Sequence, residues 1–216
     1  CEHAHSKRDE LPDLSRFDLP VKPFVLAVAS ANPNKNFESV VQALDMLGDQ
    51  APPCVIVGKT DQRHFGGVTL DEERVTHLGY VSDEELLALY RRALCLIFPS
   101  FYEGFGLPPL EAMASSCPVI SSYTSAMPEI SGDAAIYCDP HDFSTLAHGI
   151  RRISESPACR KAMVDRGRKQ SEKFSWRNSG GKLLQLLTDV AAGKQGVAAG
   201  NAHETVWLEN LPGSGS

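Results

Sequence analysis

The sequence predicts an α/β fold built on a doubly wound parallel sheet of the Rossmann-like kind. Short apolar runs of four to seven residues alternate with segments of helical periodicity, which is typical of a parallel sheet covered on both faces. The 216-residue chain is 42% hydrophobic and 22% charged, a globular composition that can bury a core at this length. Right-handed crossovers between such strands then place helices on both faces of a single layer.

Six short apolar runs are predicted to form the strands. They lie at residues 24–30, 54–58, 74–79, 94–98, 118–121 and 134–138. Residues 36–47 carry apolar side chains at helical spacing, and the segment SDEE at 82–85 has the capping-box pattern that begins a second helix. A short helix is predicted at 108–115, and two or three helices at 142–190. Ligands bind such sheets at the carboxyl ends of the strands, so the loops that follow the strands are the candidate site.

Three regions are predicted along the chain. Residues 1–23 form a lead-in segment, residues 24–192 the Rossmann-like domain, and residues 193–216 a flexible tail that closes in the linker-like sequence GSGS. The first ten residues, CEHAHSKRDE, are too polar and charged for a signal peptide. No apolar run approaches the ~20 residues that a membrane span requires.

Charge and cysteine content argue against several classes of function. The net charge of -6 argues against a nucleic-acid binder, which usually has a basic face. Six cysteines at positions 1, 54, 95, 117, 138 and 159 include no C-x-x-C pair, and three of them lie inside apolar runs. We therefore predict reduced core thiols in a cytoplasmic protein rather than disulfides or metal ligands. His3 and His5 have no third ligand at a suitable spacing, so no metal site is predicted.

The first candidate loop is SANPNKN, residues 30–36, which leads from the first strand into a helix. Backbone N–H groups at a helix N-terminus, with Lys35 beside them, suit a phosphate or diphosphate group. The same residues also fit a plain N-cap turn with a solvent-exposed lysine. This loop alone does not decide between the two interpretations.

The second candidate loop is EGFGLPPLE, residues 103–111, which follows the fourth strand. Two glycines and a proline pair argue against one continuous helix, so we predict a tight loop that ends in a helix starting near Pro108 or Pro109. Glu103 then lies near the carboxyl end of the strand and Glu111 in the first helical turn, and both can face one crevice. Carboxylates accept hydrogen bonds from sugar hydroxyls. The plainer alternatives are a turn residue at one position and a charge on the helix dipole at the other.

The longer run FPSFYEGFGLPPLEAMASSCPVISSYTSAMPEISGDAAIYCDP resembles the signature of retaining, GT-B-type glycosyltransferases of family 4, also described as group 1. Its E-x7-E element corresponds to Glu103 and Glu111. Three supporting segments occur in the expected order: NPNKNF at 32–37, GYVSDEELLALY at 79–90 and FSW at 174–176. The resemblance extends over residues 24–190 and implies one half of a GT-B fold.

The resemblance implies a donor site for a nucleotide-diphosphate sugar, with GDP or UDP as the nucleotide. Glu103 is implied to contact hydroxyls of the donor sugar and Lys35 to neutralise the diphosphate leaving group, so these two are the implied catalytic residues. Glu111 is implied to bind the ribose hydroxyls. The other implied donor-binding residues are Ser30, Asn32, Lys59, Tyr80, Val81, Gly104, Phe105, Gly106 and Leu107, the backbone of Tyr80 and Val81 meeting the nucleobase. Transfer is implied to retain the anomeric configuration and to need no metal or other cofactor, and the sequence has no D-x-D.

Several positions depart from the family pattern. Residues 29–31 lack the arginine that many relatives carry a few positions before the lysine. Ser116 stands where a glycine is usual, and Tyr123 where a small polar residue is more typical. The pair Gly180-Gly181 is expected to interrupt the terminal helix.

The largest departure is length. Enzymes of this type have two Rossmann-like domains, and this chain is expected to carry only the second, donor-binding one, without the N-terminal acceptor-binding domain as its partner. The resulting interpretation is the donor half of a hexosyltransferase of polysaccharide biosynthesis, acting on a glycan or lipid-linked acceptor and inactive alone. NPNKNF favours a GDP-mannose-like donor. The expected location is cytoplasmic, with the intact enzyme at the inner face of the membrane. The alternative is a nucleotide-sugar-binding or interaction module without catalysis.

Overall fold

The computed structural model describes residues 12–28, 32–58 and 74–192. The described residues form one six-stranded sheet, whose strands are β1 (Val25–Val28), β2 (Cys54–Val57), β3 (Val75–Gly79), β4 (Cys95–Phe98), β5 (Val119–Ser122) and β6 (Ala135–Cys138). All neighbouring strands are parallel, in the order β3-β2-β1-β4-β5-β6. In this Rossmann order the chain reverses its direction of winding between β1 and β4. The predicted doubly wound parallel sheet is therefore confirmed.

Seven α-helices lie within the described ranges. They are α1 (Phe37–Leu47), α2 (Asp83–Arg92), α3 (Leu107–Ala114), α4 (Met127–Ser131), α5 (Phe143–Glu155), α6 (Pro157–Glu172) and α7 (Trp176–Ala191). The predicted capping box at the start of α2 is confirmed, because Ser82 and Glu85 each bond the backbone N–H of the other. The expectation that Gly180-Gly181 interrupts the last helix is wrong, since α7 runs through both residues. A glycine costs a helix only ~1 kcal/mol relative to alanine, and the leucines that follow are strong helix formers.

The core consists of two apolar clusters, one on each face of the sheet. Alternate residues of β1 divide between them, with Val25 and Ala27 in one cluster and Leu26 in the other. Helices α1 and α5 cover the first face, and α2, α3 and α4 cover the second. The central strands β1, β2 and β4 are thus buried on both faces, which explains why they appear in the sequence as continuous apolar runs, whereas the edge strand β3 is half-buried throughout and contains threonine and histidine.

The cysteines of the described residues are free thiols. Burial raises the pKa of Cys54, Cys117 and Cys138 to about 12, and the pKa of Cys95 well above its ordinary value. At neutral pH these four thiols are protonated and take part in packing rather than chemistry. The prediction of reduced core thiols is confirmed for them, whereas Cys1 lies outside the described residues.

Ser116 occupies the turn between α3 and β5, where the sequence pattern favours glycine. Its φ of 65° lies in the left-handed region, which explains that preference. The guanidinium Nε of Arg168 on α6 donates to Ser116 Oγ at 2.8 Å. The serine hydroxyl therefore links the turn to α6, a contact that glycine cannot make.

The chain divides into two compact units between Ser175 and Trp176. The first contains the sheet and helices α1 to α6, and the second contains α7. The sequence-based boundaries at residues 23 and 192 stay predictions. Within the described ranges, no helix combines the length and the apolar content that crossing a bilayer requires.

Candidate functional site

The strand order reverses between β1 and β4, and ligands of doubly wound sheets bind at the carboxyl ends of the strands at this point. The two candidate loops follow these strands directly, since β1 ends at Val28 and β4 at Phe98. The backbone N–H of Phe101 donates to the carbonyl oxygen of Asn34 at 2.8 Å, which joins the two loops. The structure therefore brings together two segments that are far apart in the sequence and that the sequence singled out separately.

An ion pair lies where the two loops meet. Lys35 Nζ donates to Glu103 Oε1 at 2.7 Å, and the two side chains are only 23% and 16% exposed. The same ammonium lies 4.7 Å from the centroid of the Phe98 ring, within range of a cation–π interaction. The bond uses one of three ammonium protons and one of two carboxylate oxygens, so both groups keep capacity to bind a ligand.

Lys35 is placed by a short 3-10 turn, Pro33–Lys35, that precedes α1. The side-chain oxygen of Asn32 caps this turn by accepting from the N–H of Asn34 at 3.0 Å. Pro33 suits the first position of the turn because it has no N–H to satisfy. Asn32, which the family resemblance assigns to donor binding, thus makes a structural contact within its own turn.

Asn36 fixes the position of the turn relative to the sheet, a contact that sequence reasoning missed. The residue is buried in the left-handed region, with φ of 52°, at the start of α1. Its Nδ2 donates to the carbonyl oxygens of Pro99 and Pro140 at 3.0 and 2.7 Å. Asn36 therefore ties together the loops that follow β1, β4 and β6. Its tolerance of the left-handed region was the available signal.

The glycine loop before α3 carries the predicted backbone donors. Gly106 has φ of 95° and forms the N-cap of α3, and a Cβ there would collide with the side chain of Met127. The N–H groups of Gly104, Phe105 and Gly106 donate to none of the described residues. Pro108 and the proline after it have no N–H. The N–H donors near the start of α3 therefore belong to the loop residues that precede Pro108.

Glu111 lies in a different environment from Glu103. Helix α3 begins at Leu107, one residue earlier than predicted, so Glu111 falls in the second turn and its assignment to the first turn is wrong. Burial raises the pKa of Glu111, and the charge of Asp83 on α2 adds to this shift. The hydroxyl of the fully buried Tyr90 faces the Glu111 carboxylate without reaching hydrogen-bonding geometry.

Of the remaining predicted residues, the structure describes Tyr80 and Val81. Tyr80 and Val81 connect β3 to α2, with the Tyr80 side chain 79% exposed and that of Val81 buried. Ser30 and Lys59 lie outside the described residues. No three His, Cys, Asp or Glu side chains converge as a metal site within the described part of the chain, and metal-independent function stays a prediction.

Two exposed aromatic rings lie close to Glu103 in the sequence of the loop, and sequence reasoning did not identify them as a group. Tyr102 is 67% exposed and Phe105 46% exposed. Phe105 packs edge-to-face on Phe174, with ring centroids 6.2 Å apart, so the first residue of the FSW segment supports the loop. Aromatic faces at the rim of a polar crevice suit ligands that contain rings.

Comparison with known proteins gives a consistent result. Residues 15–170 match the family described as glycosyl transferases group 1. The chain is 34% identical over 176 residues to the O-antigen chain mannosyltransferase B of Escherichia coli, covering 78% of this chain and 46% of that protein. It is 35% identical over 139 residues to the O-antigen chain mannosyltransferase RfbU of Salmonella typhimurium, covering 62% and 39%.

Solved structures show the same fold. Sucrose-phosphate synthase from Thermosynechococcus elongatus superimposes with a TM-score of 0.72 at 29% identity, covering 83% of this chain and 48% of that protein. The likeness confirms the predicted GT-B relationship of the sheet. The chain spans less than half the length of each of these three proteins. The family match covers most of the chain and includes both loops at the point where the strand order reverses. The chain therefore belongs to the group 1 glycosyltransferases.

Proposed function

We propose that this chain is the donor-binding, C-terminal half of a retaining family 4 hexosyltransferase. The proposed donor is a GDP-mannose-like sugar nucleotide, and the proposed acceptor is a glycan or lipid-linked glycan of a surface polysaccharide. The two O-antigen mannosyltransferases among the relatives support this choice of sugar and product. The observation that carries the proposal is the Lys35–Glu103 ion pair at the switch point, 2.7 Å long and flanked by unused backbone donors.

The proposed chemistry assigns the leaving group to Lys35. When the bond from the sugar to the diphosphate breaks, negative charge grows on the diphosphate oxygens. A fixed ammonium and the N–H groups of Gly104, Phe105 and Gly106 stabilise that charge without having to reorganise. Leu107, at the first position of α3, adds a further N–H at a helix N-terminus. Departure and attack occur on one face of the sugar, which retains the anomeric configuration.

The carboxylates have binding rather than proton-transfer roles in this proposal. The free oxygen of Glu103 accepts from hydroxyls of the donor sugar, next to the diphosphate that Lys35 holds. Glu111 accepts from the ribose hydroxyls, and the backbone of Tyr80 and Val81 contacts the base. Asn32, with Ser30 and Lys59 from outside the described residues, completes the phosphate side of the site.

The acceptor side of the reaction is assigned to a second, N-terminal domain. The short coverage of the relatives supports this division, because the chain matches less than half of each. We therefore expect the chain alone to bind a sugar nucleotide without transferring the sugar. A cytoplasmic position at the inner face of the membrane, through the acceptor domain, belongs to the same proposal.

Calorimetric titration of the chain with GDP-mannose and UDP-glucose tests the donor site. We expect binding of GDP-mannose, with Lys35→Ala and Glu103→Ala each weakening it at least ~10-fold, as expected for loss of a charge-assisted contact. Lys161→Ala and Glu172→Ala, which alter exposed charges on α6, are the matched controls and should bind as the unaltered chain does. EDTA should leave the affinity unchanged.

Three outcomes contradict the proposal. Failure of every sugar nucleotide to bind removes the donor site. Equal affinity in both site variants and both controls places the ligand elsewhere. Transfer of the sugar by this chain alone shows that it is not half of an enzyme.

A further inference from the structure

The end of β5 and its connection to α4 carry three serine and threonine hydroxyls that bond the loop containing Glu103. We call residues 122–125, with the sequence SYTS, the hydroxyl segment, and residues 99–106 the β4 loop. The hydroxyl segment belongs to neither candidate loop identified from the sequence. Its side chains nevertheless bond the β4 loop directly, which calls for an explanation.

Two hydroxyls hold the first half of the β4 loop by its carbonyl oxygens. Ser122 Oγ donates to the carbonyl oxygen of Ser100 at 2.6 Å. Thr124 Oγ1 lies 3.0 Å from the carbonyl oxygen of Phe101 and 3.2 Å from that of Ser100. These carbonyls lie beyond the end of β4, where no neighbouring strand can satisfy them. The hydroxyl segment therefore supplies the hydrogen bonds that a neighbouring strand would otherwise donate to these carbonyl oxygens.

The third hydroxyl contacts Glu103 itself. The backbone N–H of Glu103 donates to Ser125 Oγ at 2.9 Å. Ser125 makes this contact from the left-handed region, with φ of 52°, a conformation that costs a non-glycine residue free energy. Glycine would occupy this conformation without that cost but has no hydroxyl to offer.

The far end of the β4 loop is held by the same connection. Met127 begins α4, two residues after Ser125, and its side chain fills the space beside Gly106. Met127 is fully buried, so this contact is part of the packed core. The β4 loop thus lies between two fixed points, with Glu103 between them.

We propose that Ser125 is a positioning residue that sets the carboxylate of Glu103 for donor binding. By fixing the Glu103 N–H, the Ser125 hydroxyl fixes the backbone from which the carboxylate reaches Lys35. The effect of Ser125 on donor binding rests on the proposed function, whereas its effect on the position of Glu103 does not.

The test compares two substitutions at Ser125 that separate strain from hydrogen bonding. Ser125→Gly removes the hydroxyl and relieves the left-handed backbone, so the melting temperature should change little. Ser125→Thr keeps the hydroxyl but places a β-branched side chain in the left-handed region, so the melting temperature should fall. Amide hydrogen exchange at Glu103 in the ligand-free chain and titration with GDP-mannose are then measured on each.

We expect opposite patterns from the two variants. Ser125→Gly should exchange the Glu103 amide about tenfold faster and bind GDP-mannose several-fold more weakly, the loss expected for about one hydrogen bond. Ser125→Thr should keep both the slow exchange and the affinity despite its lower melting temperature. Ser156→Ala is the control, because it removes a similar serine-to-N–H bond, 3.2 Å to Cys159, at the start of α6. It should leave the Glu103 amide and donor binding unchanged.

Unchanged exchange of the Glu103 amide in Ser125→Gly overturns the inference, and so does faster exchange with undiminished affinity. Loss of affinity that follows melting temperature across all three variants also overturns it, since that is a purely structural effect. If the unaltered chain binds no sugar nucleotide, the proposed function fails instead. The exchange comparison then still decides whether Ser125 fixes Glu103.

Discussion

Glu103 and Glu111 come from one short sequence element, yet the fold gives them different surroundings. Glu103 lies in the β4 loop with an ammonium 2.7 Å away and a serine hydroxyl on its own N–H. Glu111 lies on α3 against α2, facing a tyrosine hydroxyl and the charge of Asp83, and it forms no ion pair with a described residue. Glu103 is therefore paired with a cation, whereas Glu111 lies near another carboxylate.

This difference shows how one element can serve two kinds of contact. In the proposed function, a diphosphate bound beside Lys35 would compete with Glu103 for the ammonium, which would couple the ion pair to the ligand. Glu111 forms no ion pair with a described residue, so its availability as an acceptor would not depend on that competition. The turn at Gly106 separates the two environments, and three experiments test the separation.

Gly106→Ala should have the largest effect on stability. The substitution places a Cβ at φ of 95° and against the buried side chain of Met127. Left-handed strain and overpacking together should lower the free energy of unfolding by about 3 kcal/mol. Denaturant unfolding measures the loss, and Gly104→Ala is the matched control because a Cβ there meets nothing within 4 Å. Equal stability of the two variants would show that Gly106 does not fix the turn.

A double-mutant cycle on the ion pair should have an intermediate effect. Lys35→Met and Glu103→Gln keep the size of each side chain while removing its charge. The coupling free energy of the pair should be about 1 kcal/mol, the upper range for exposed pairs, because both side chains are mostly shielded. Unfolding of the four chains measures it at low and high salt. A coupling near zero would mean that the 2.7 Å contact contributes no stability.

Glu111→Gln should have the smallest effect, with the opposite sign. Folding raises the pKa of Glu111 above its unfolded value of 4.5, so ionisation of this carboxyl opposes folding. This penalty is absent below pH 4.5 and complete once the pH exceeds the folded pKa. The variant should therefore be more stable by about 0.5 kcal/mol at pH 7, with the difference shrinking towards pH 4. A variant less stable than the parent chain at pH 7 would contradict this account.

The sequence predicted the central strands well because burial on both faces makes each of them a continuous apolar run, whereas the half-buried edge strand β3 gives a weaker pattern. It did not predict their order, since periodicity carries no information about which strand lies next to which. The capping box of α2 was predictable because Ser82 and Glu85 interact locally. The start of α3 was displaced by one residue because Gly106, in the left-handed region, serves as the N-cap and lets Leu107 begin the helix.

The sequence identified the residue types of the candidate site better than the contacts between them. Lys35 and Glu103 were assigned to one ligand, yet their direct ion pair was not anticipated, because it depends on the adjacency of β1 and β4. Asn36 and Ser125 were missed for a related reason. Both hold loops that are distant in sequence, and an asparagine or serine in a polar stretch gives no indication of its partner.

The Lys35–Glu103 ion pair also constrains the order of folding. It joins residues 68 positions apart, and its geometry depends on β1 pairing with β4, where Val25 lies opposite Cys95. Closing so long a loop costs entropy before any contact compensates for it, so this pairing is intrinsically slow. At a synthesis rate of ~5–20 residues per second, several seconds pass between the synthesis of β1 and that of β4. Because the contact depends on this pairing, we expect the ion pair to form only after β1 and β4 have paired.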